Sequence, residues 1–337
     1  MLFVLALDAP WLAAALAWAV LVALALDLLW GEPPVRWHPV VWMGNWLAWA
    51  GRMAAPLLDA PGAASQRFKP FMLGALFWCA GAALFSIAAW GLQSVLWAGL
   101  QQVSPGLAVL LGGTLLGILL KPMLAWRMLR DEVLAVEVAL EASLEAGRHR
   151  LGGLVSRDVS TLDATAVRES AIESLAENLN DSVLAPLCWF VLLGLPGAVL
   201  YRFANTADAM WGYRGPRAGR LWEWAGKWAA RADDVLSWWP ARWTALLMWL
   251  VTKDRHAFAW RSCWVEARKT PSPNSGWPMA AMALLLGVAL RKPGVYVLYA
   301  QGAAPLPEDT FRARDLAQNV VWAQLVCAAG LLFLLGF

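Results

Sequence analysis

From Trp11 to Trp30 the chain carries one ionisable side chain, Asp27. That is about the 20 residues a helix needs to cross a bilayer. In lipid every backbone N–H and C=O must be paired internally, so such a run restricts the chain to a spanning helix. Similar runs follow at Phe71–Leu100, at Leu107–Leu120 after the Ser104-Pro105-Gly106 turn, and at Gln318–Phe337. The composition agrees: 60% of residues are hydrophobic, 24 are Trp and 15% are charged. A soluble domain has roughly 45–50% apolar and about 25% charged residues. The expected fold is all-α and polytopic, one membrane-embedded helical domain over 1–337. It has four transmembrane helices, short broken or re-entrant helices, and helical loops. Nothing basic precedes the first run and no small-residue cleavage pattern follows it, so it reads as an anchor and not as a removed signal peptide.

Three further apolar runs, Val183–Leu200, Thr244–Val251 and Trp277–Leu290, are too short or too broken by Pro and Gly to cross unaided. Basic residues place the loops. Arg36, Arg52, Arg67 and Lys69 in 31–70 put that loop on the cytoplasmic side, and 121–182 with it. The segment 201–243, with Arg202, Arg214, Arg217, Arg220, Lys227, Arg231 and Arg242, wants the same side. So does 252–276, with Lys253, Arg255, Arg261, Arg268 and Lys269. The short runs therefore either dip in and return or cross in pairs. In both cases 121–182 and 201–276 collect at the cytoplasmic face. Residues 125–147 read as one amphipathic helix, with Leu129, Val133, Val136, Leu140 and Leu144 on the apolar stripe, Glu137, Glu141 and Glu145 opposite, and Gly147 as its stop.

The net charge of +3, without a basic run interleaved with aromatics, excludes nucleic acid as a partner. Cys79, Cys188, Cys263 and Cys327 are scattered and fit neither a disulfide framework nor a zinc pattern. No GxxxxGK[ST], GxGxxG, GxSxG or HExxH occurs.

The polar chemistry is concentrated between Glu169 and Arg214. Glu169, Glu173, Glu177 and Asp181 recur every four residues and line one slowly drifting helix face, with Asn178 and Asn180 beside them. Like charges at that spacing repel, and no Lys or Arg lies between Arg168 and Arg202 to relieve them. Carboxylates and amide oxygens are ligands Mg²⁺ accepts, so the face is a candidate metal site; solvated surface glutamates are the alternative. Past the broken run stand Arg202, Asn205, Thr206, Asp208, Tyr213 and Arg214. With Val183–Leu200 dipping between them, 169–181 and 202–214 are expected to close on one pocket. Asp27 is either a site residue or an interface anchor or N-cap. His38, held extended by Pro39, is structural or functional. Ser156-Arg157-Asp158, after Gly152-Gly153, either cradles a phosphate or caps the helix starting near Ala164. Of adjacent Asp233 and Asp234, one binds metal while the other packs against Arg231 or Arg242. Ser272 to Gly276 is a turn that can present Ser272 and Asn274 to a ligand.

Together these stretches resemble one family, the adenosylcobinamide-phosphate synthases, the CobD/CbiB proteins of cobalamin biosynthesis. The resemblance rests on DLLWGEPPVRWHPVVWMG (27–44), LVSRDVSTLD (154–163), ESAIESLAENLNDSVLAPL (169–187), GLPGAVLYRFANTADAMWGYR (194–214), AARADDVLSWWPARWTAL (229–246), SPNSGWPMAAMALLLGV (272–288) and KPGVY (292–296). It covers almost the whole chain in family order. Glu32, where the family usually has Asp, and Ala232, where a larger apolar residue is common, are mild departures.

The resemblance implies an ATP-dependent ligase of the cytoplasmic (inner) membrane, with its site facing the cytoplasm. Such an enzyme joins aminopropanol or its O-phosphate to a propionate carboxylate of adenosylcobyric acid, releasing ADP and phosphate. A carboxylate is a poor electrophile, so activation as an acyl phosphate fits, with Mg²⁺ and cations spreading the phosphoryl charge. On this reading Glu173, Glu177, Asp181 and Asp208 serve metal and ATP, while Arg157, Arg214 and Arg231 clamp phosphate or carboxylate. Asp233, Asp234 or His38 is the base, and Asn205, Ser272 and Asn274 hold substrate. A homo-oligomer, or association with other membrane enzymes of the pathway, is compatible with it. Two alternatives are an AmpE-like membrane regulatory protein, which should not keep the full acidic and Arg set, and a transporter, which should show clearer repeat symmetry.

Overall fold

The computed structural model describes residues 10–62, 65–253 and 258–335; Arg255, counted among the basic loop residues, lies outside them. The chain is an all-α polytopic integral membrane protein. Among the described residues, four helical stretches are long and apolar enough to cross a membrane: Trp11–Trp30, Phe68–Leu100, Pro105–Ala142 and Pro307–Leu332. The described residues form two compact units, each discontinuous in sequence. One is built from residues up to Leu124, Ala185–Leu236 and Ala328 onward; the other from Ala125–Leu184 and Ser237–Cys327.

The first unit contains α1 (Pro10–Trp30), α2 (Pro39–Ala54), α3 (Phe68–Leu100) and α4 (Pro105–Leu120). The α1–α4 pair packs closely because both faces are small. Ala15, Ala19 and Ala23 of α1 are fully buried, and a Cβ added at Gly113 or Gly117 would stand 2.6 Å from Ala15 O or 2.8 Å from Ala19 O. Small residues let backbones approach where lipid supplies no hydrophobic drive. The broken run resolves into α8 (Ala185–Leu193) and α9 (Leu195–Trp211), separated at Gly194, whose φ of 72° suits glycine. Gln93, buried in α3, accepts the Leu195 N–H at 2.8 Å and so serves the α9 N-terminus, which has no cap of its own. After α9 a two-stranded ribbon (Pro216–Arg217 with Arg220–Leu221) leads into α10 (Lys227–Leu236).

The second unit holds α5 (Trp126–Ala142), α6 (Leu144–Leu151), α7 (Ala164–Leu179), α11 (Trp238–Val251), α12 (Trp260–Ala267), α13 (Gly276–Leu286) and a ribbon pairing Leu290–Lys292 with Tyr296–Leu298. The helix expected over 125–147 is two helices. Ser143 leaves helical geometry and its hydroxyl accepts the Ala146 N–H, capping α6. Gly147 is no stop but sits inside α6 against Leu140. Glu137, expected on the solvent face, is 1% exposed. It receives Arg168 at 2.8 and 2.9 Å and the Thr310 hydroxyl at 2.8 Å, which satisfy the buried charge. The last helix, α14, runs Pro307–Leu335. It begins 11 residues before Gln318, because the acidic first turn of Glu308 and Asp309 suits a helix N-terminus. The broken run becomes helices of 9 and 17 residues and the other two become helices of 14 and 11, all short of the about 20 residues of a span.

Candidate functional site

The acidic stripe lies on α7. Asp163 starts that helix, its Oδ1 accepting the Ala166 N–H at 2.8 Å. The Ser156-Arg157-Asp158 turn, weighed as that cap, does not supply it: Asp158 closes its own turn by accepting the Ser160 N–H at 2.9 Å, and that bond holds its carboxyl below the usual carboxylate range. Arg157 reaches α7 with its side chain. Its Nη2 donates to Ser170 Oγ at 2.7 Å and its Nη1 stands 3.8 Å from Glu173 Oε1.

The charges that stabilise the stripe come from far along the chain. The ribbon residue Arg291 meets Glu169 Oε1 at 2.6 Å, and Lys292 Nζ stands 3.8 Å from Glu173 Oε1. Burial pushes the Glu169 carboxyl up to about 7, the Arg291 charge offsetting it only in part. Burial likewise raises Glu173, against the Arg157 and Lys292 charges and the Tyr296 hydroxyl. Tyr296 is itself raised, by burial and then by the Glu173 charge.

Ser156, Arg157, Glu173, Ser174, Glu177, Asn178 and Lys292, with Leu154 and Val155, line a cavity of about 210 Å³. Three buried polar atoms of Arg157 and Glu173 have no hydrogen-bond partner: Arg157 Nε, Arg157 Nη1 and Glu173 Oε2. Leaving such groups unpaired costs about 1–3 kcal/mol each, more for charged ones, so their presence together makes the cavity a candidate ligand site. Nε and Nη1 lie on different edges of the guanidinium, so each can donate to a separate ligand oxygen. Asn178 Nδ2 donates to Ser174, which leaves its carbonyl oxygen as the free end. Two carboxylates and an amide oxygen suit Mg²⁺ that keeps substrate oxygens or waters as its other ligands.

The three-carboxylate metal set is not formed. Asp181 does not line the cavity, and among the described residues no three His, Cys, Asp or Glu side chains gather as metal ligands. Four-residue steps drift about 40° each on an α-helix, so Asp181 turns away from Glu173. It also sits in the π-helical turn Asn180–Leu184, where Asn180 Nδ2 donates to it at 2.7 Å. Ser272 and Asn274 are committed to the fold. Ser272 Oγ accepts the N–H groups of Asn274 and Ser275, and Asn274 Oδ1 accepts Arg242 Nη1 at 2.9 Å. The Arg242 guanidinium is held between the Trp238 and Trp277 rings, 4.5 and 4.9 Å from their centroids.

The other expected residues belong to the first unit, so 169–181 and 202–214 fall in different units. Asn205 and Asp208 are half-buried, three residues apart on α9. Arg214 and Arg231 both act on Asp234, with Arg231 Nη1 at 3.4 Å; burial nevertheless raises that carboxyl. Asp233 is half-buried on α10 beside it.

His38 caps α2: its Nδ1 accepts the Val40 N–H at 3.2 Å, so the neutral ring carries its proton on Nε2, which faces Glu32 Oε2 at 2.8 Å. Both ring nitrogens are engaged, and the geometry leaves neither free for base duty. Glu32 also meets Lys121 at 3.1 Å, and Lys121 reaches fully buried Asp27 at 3.2 Å. Asp27 is thus no N-cap but the inner member of a charged chain joining α1, the 31–38 loop and the end of α4. Burial opposes ionisation of Glu32, but His38 and Lys121 outweigh it and hold the carboxyl below its usual range.

Sequence reasoning missed Lys292, Arg291, Tyr296 and Lys121. The stretch KPGVY marked the first and third, yet nothing local tied them to α7.

A family model described as CobD/Cbib protein matches residues 20–322. "Cobalamin biosynthesis protein CobD" of Chromobacterium violaceum is 40% identical over 324 residues, covering 92% of this chain and 96% of that protein. "Probable cobalamin biosynthesis protein CobD" of Methanothermobacter thermautotrophicus is 39% identical over 279 residues, 83% of this chain and 85% of that protein. No solved structure matches.

Proposed function

The chain belongs to the CobD/Cbib protein family, and from that premise we propose that it is an ATP-dependent ligase of cobalamin biosynthesis. It joins (R)-1-aminopropan-2-ol or its O-phosphate to the propionate carboxylate of adenosylcobyric acid, at the cytoplasmic face of a bacterial inner membrane. The observation that carries this reading is the cavity where Arg157 Nε, Arg157 Nη1 and Glu173 Oε2 are buried without hydrogen-bond partners.

The chemistry has two steps. A carboxylate oxygen of the corrinoid attacks the γ-phosphorus of ATP, and the bond to the ADP oxygen breaks. The amine nitrogen then attacks the acyl carbon, phosphate departs with the C–O electron pair, and the nitrogen loses a proton. The first step concentrates negative charge, which Arg157 accepts through two fixed N–H groups and Lys292 through a mobile ammonium. Ser170 and the half-buried setting of Arg157 hold that fork in place, so little reorganisation accompanies transfer. Glu173, Glu177 and Asn178 are the residues suited to hold Mg²⁺, which when bound would neutralise phosphate oxygens.

The test is purified, detergent-solubilised protein incubated with adenosylcobyric acid, ATP-Mg and each amine, followed by product mass. No product and no ATP turnover with either amine would overturn the ligase reading. Glu173→Gln and Arg157→Ala should each lower turnover about 10²–10³-fold, the usual loss for one fixed charge-stabilising group. Either variant within about three-fold of the parent, under the same saturating conditions, would remove the cavity from the reaction.

A further inference from the structure

At one end of the first unit the cations outnumber the carboxylates. Residues 55–62 follow the end of α2, and residues 65–67 precede the start of the α3 span. The 216–221 ribbon is pinned to the former: Leu58 N donates to Gly219 O at 2.9 Å, Leu221 N to Pro56 O at 3.0 Å, and Arg220 Nη1 to Ala55 O at 2.6 Å. This surface carries Arg52, Arg67, Lys69, Arg217 and Lys227, none of them ion-paired to a carboxylate among the described residues. Exposed Asp59 and Glu223 offset two of the five charges.

The cations are placed on rings instead. Arg67 and Lys227 share Trp224, at 5.6 and 3.8 Å from its centroid, and Arg217 lies 3.8 Å over Tyr213. Among them are apolar side chains left in the open: Trp49 at 46%, Met53 at 60%, Leu57 at 55% and Phe68 at 77% exposed. A soluble polyanion would satisfy the charges and leave those groups in water. An acidic phospholipid satisfies both, with its headgroup among the cations and its acyl region against the apolar side chains. Amphipathic aromatics and Lys/Arg at the ends of spans are the chemistry of that boundary.

We infer that this surface is a binding platform for anionic phospholipid headgroups, independent of the ligase cavity. It keeps Arg67, Lys227 and Arg217 extended by ring stacking, so little ordering accompanies lipid binding.

The test uses the full chain purified in a neutral detergent and offered equimolar phosphatidylglycerol and phosphatidylcholine, with retained lipid counted by native mass spectrometry. Phosphatidylglycerol should be preferred at least about ten-fold, and the preference should fade as salt rises. Arg52→Gln/Arg67→Gln/Arg217→Gln/Lys227→Gln should abolish it, while the charge-conserving Arg52→Lys/Arg67→Lys/Arg217→Lys/Lys227→Arg keeps it. If the neutral variant fails to fold, Lys69→Gln alone, a cation with no ring contact, should lower the preference about five-fold. Equal retention of both lipids by the parent would overturn the inference. So would a charge-conserving variant as deficient as the neutral one, or displacement of the lipid by a short oligonucleotide.

Discussion

Replacing Lys121 by Met would take from Asp27 the cation that stands beside its buried charge. The pair is 3.2 Å apart, with side chains 6% and 0% exposed, and α1 and α4 close over it with small residues that cannot move aside. Breaking one side of a buried pair typically costs 3–5 kcal/mol, because the remaining ion keeps its desolvation penalty, so about 3–5 kcal/mol is expected here. At roughly 2–4 °C per kcal/mol for a unit of this size, the apparent Tm in detergent falls by about 6–20 °C. Buried Cys188, in the same unit, reports the transition through its reaction with a thiol-reactive dye. Glu32 loses one partner but keeps His38, so the 31–38 loop survives in part. The decisive protein is Asp27→Asn/Lys121→Met. With both charges gone the penalty vanishes, and the double variant should unfold within about 1–2 kcal/mol of the parent, well above Lys121→Met alone. A double variant whose loss equals the sum of the two single losses would refute the reasoning, since the residues would then act independently.

Two further outcomes follow from α7. Glu169 has its folded value raised from 4.5 to about 7, so the folded protein holds that proton more tightly than the unfolded chain. Its contribution to stability is full below about pH 4.5 and is lost as pH rises through about 7. Between about pH 5 and 8 the parent Tm should therefore fall more steeply than that of Glu169→Gln, and parallel slopes in the two pH series would contradict the assignment. Asp163→Ala removes the α7 cap and should cost about 1 kcal/mol, with Asp163→Ser recovering most of it; an unchanged unfolding midpoint in the alanine variant would show the cap to be idle.

The membrane architecture and the family were legible in the sequence because each is written in contiguous residues. Four apolar runs specify four helices by length alone, and the family stretches are continuous strings. The boundaries were less so. Ser143 divides 125–151 into two helices through one side-chain hydrogen bond, which competes with a good amphipathic pattern that shows no sign of it. Glu137 looked solvated because its partners Arg168 and Thr310 are 31 and 173 residues away.

The sequence by itself put Glu169, Glu173, Glu177 and Asp181 on one helix and Arg157 in a nearby turn. Only the tertiary structure decided what surrounds them. It brought Arg291 and Lys292 from a distant ribbon to the first two glutamates, separated Asp181 from the rest, and committed His38, Ser272 and Asn274 to holding turns and a helix end. Helical periodicity fixes which residues share a face, since that depends on 3.6 residues per turn and nothing more. The field a face meets is set by whatever packs against it. Burial and the partners' charges, none of them a local property, made Glu173 a buried carboxylate lining a cavity rather than a glutamate on a solvated stripe.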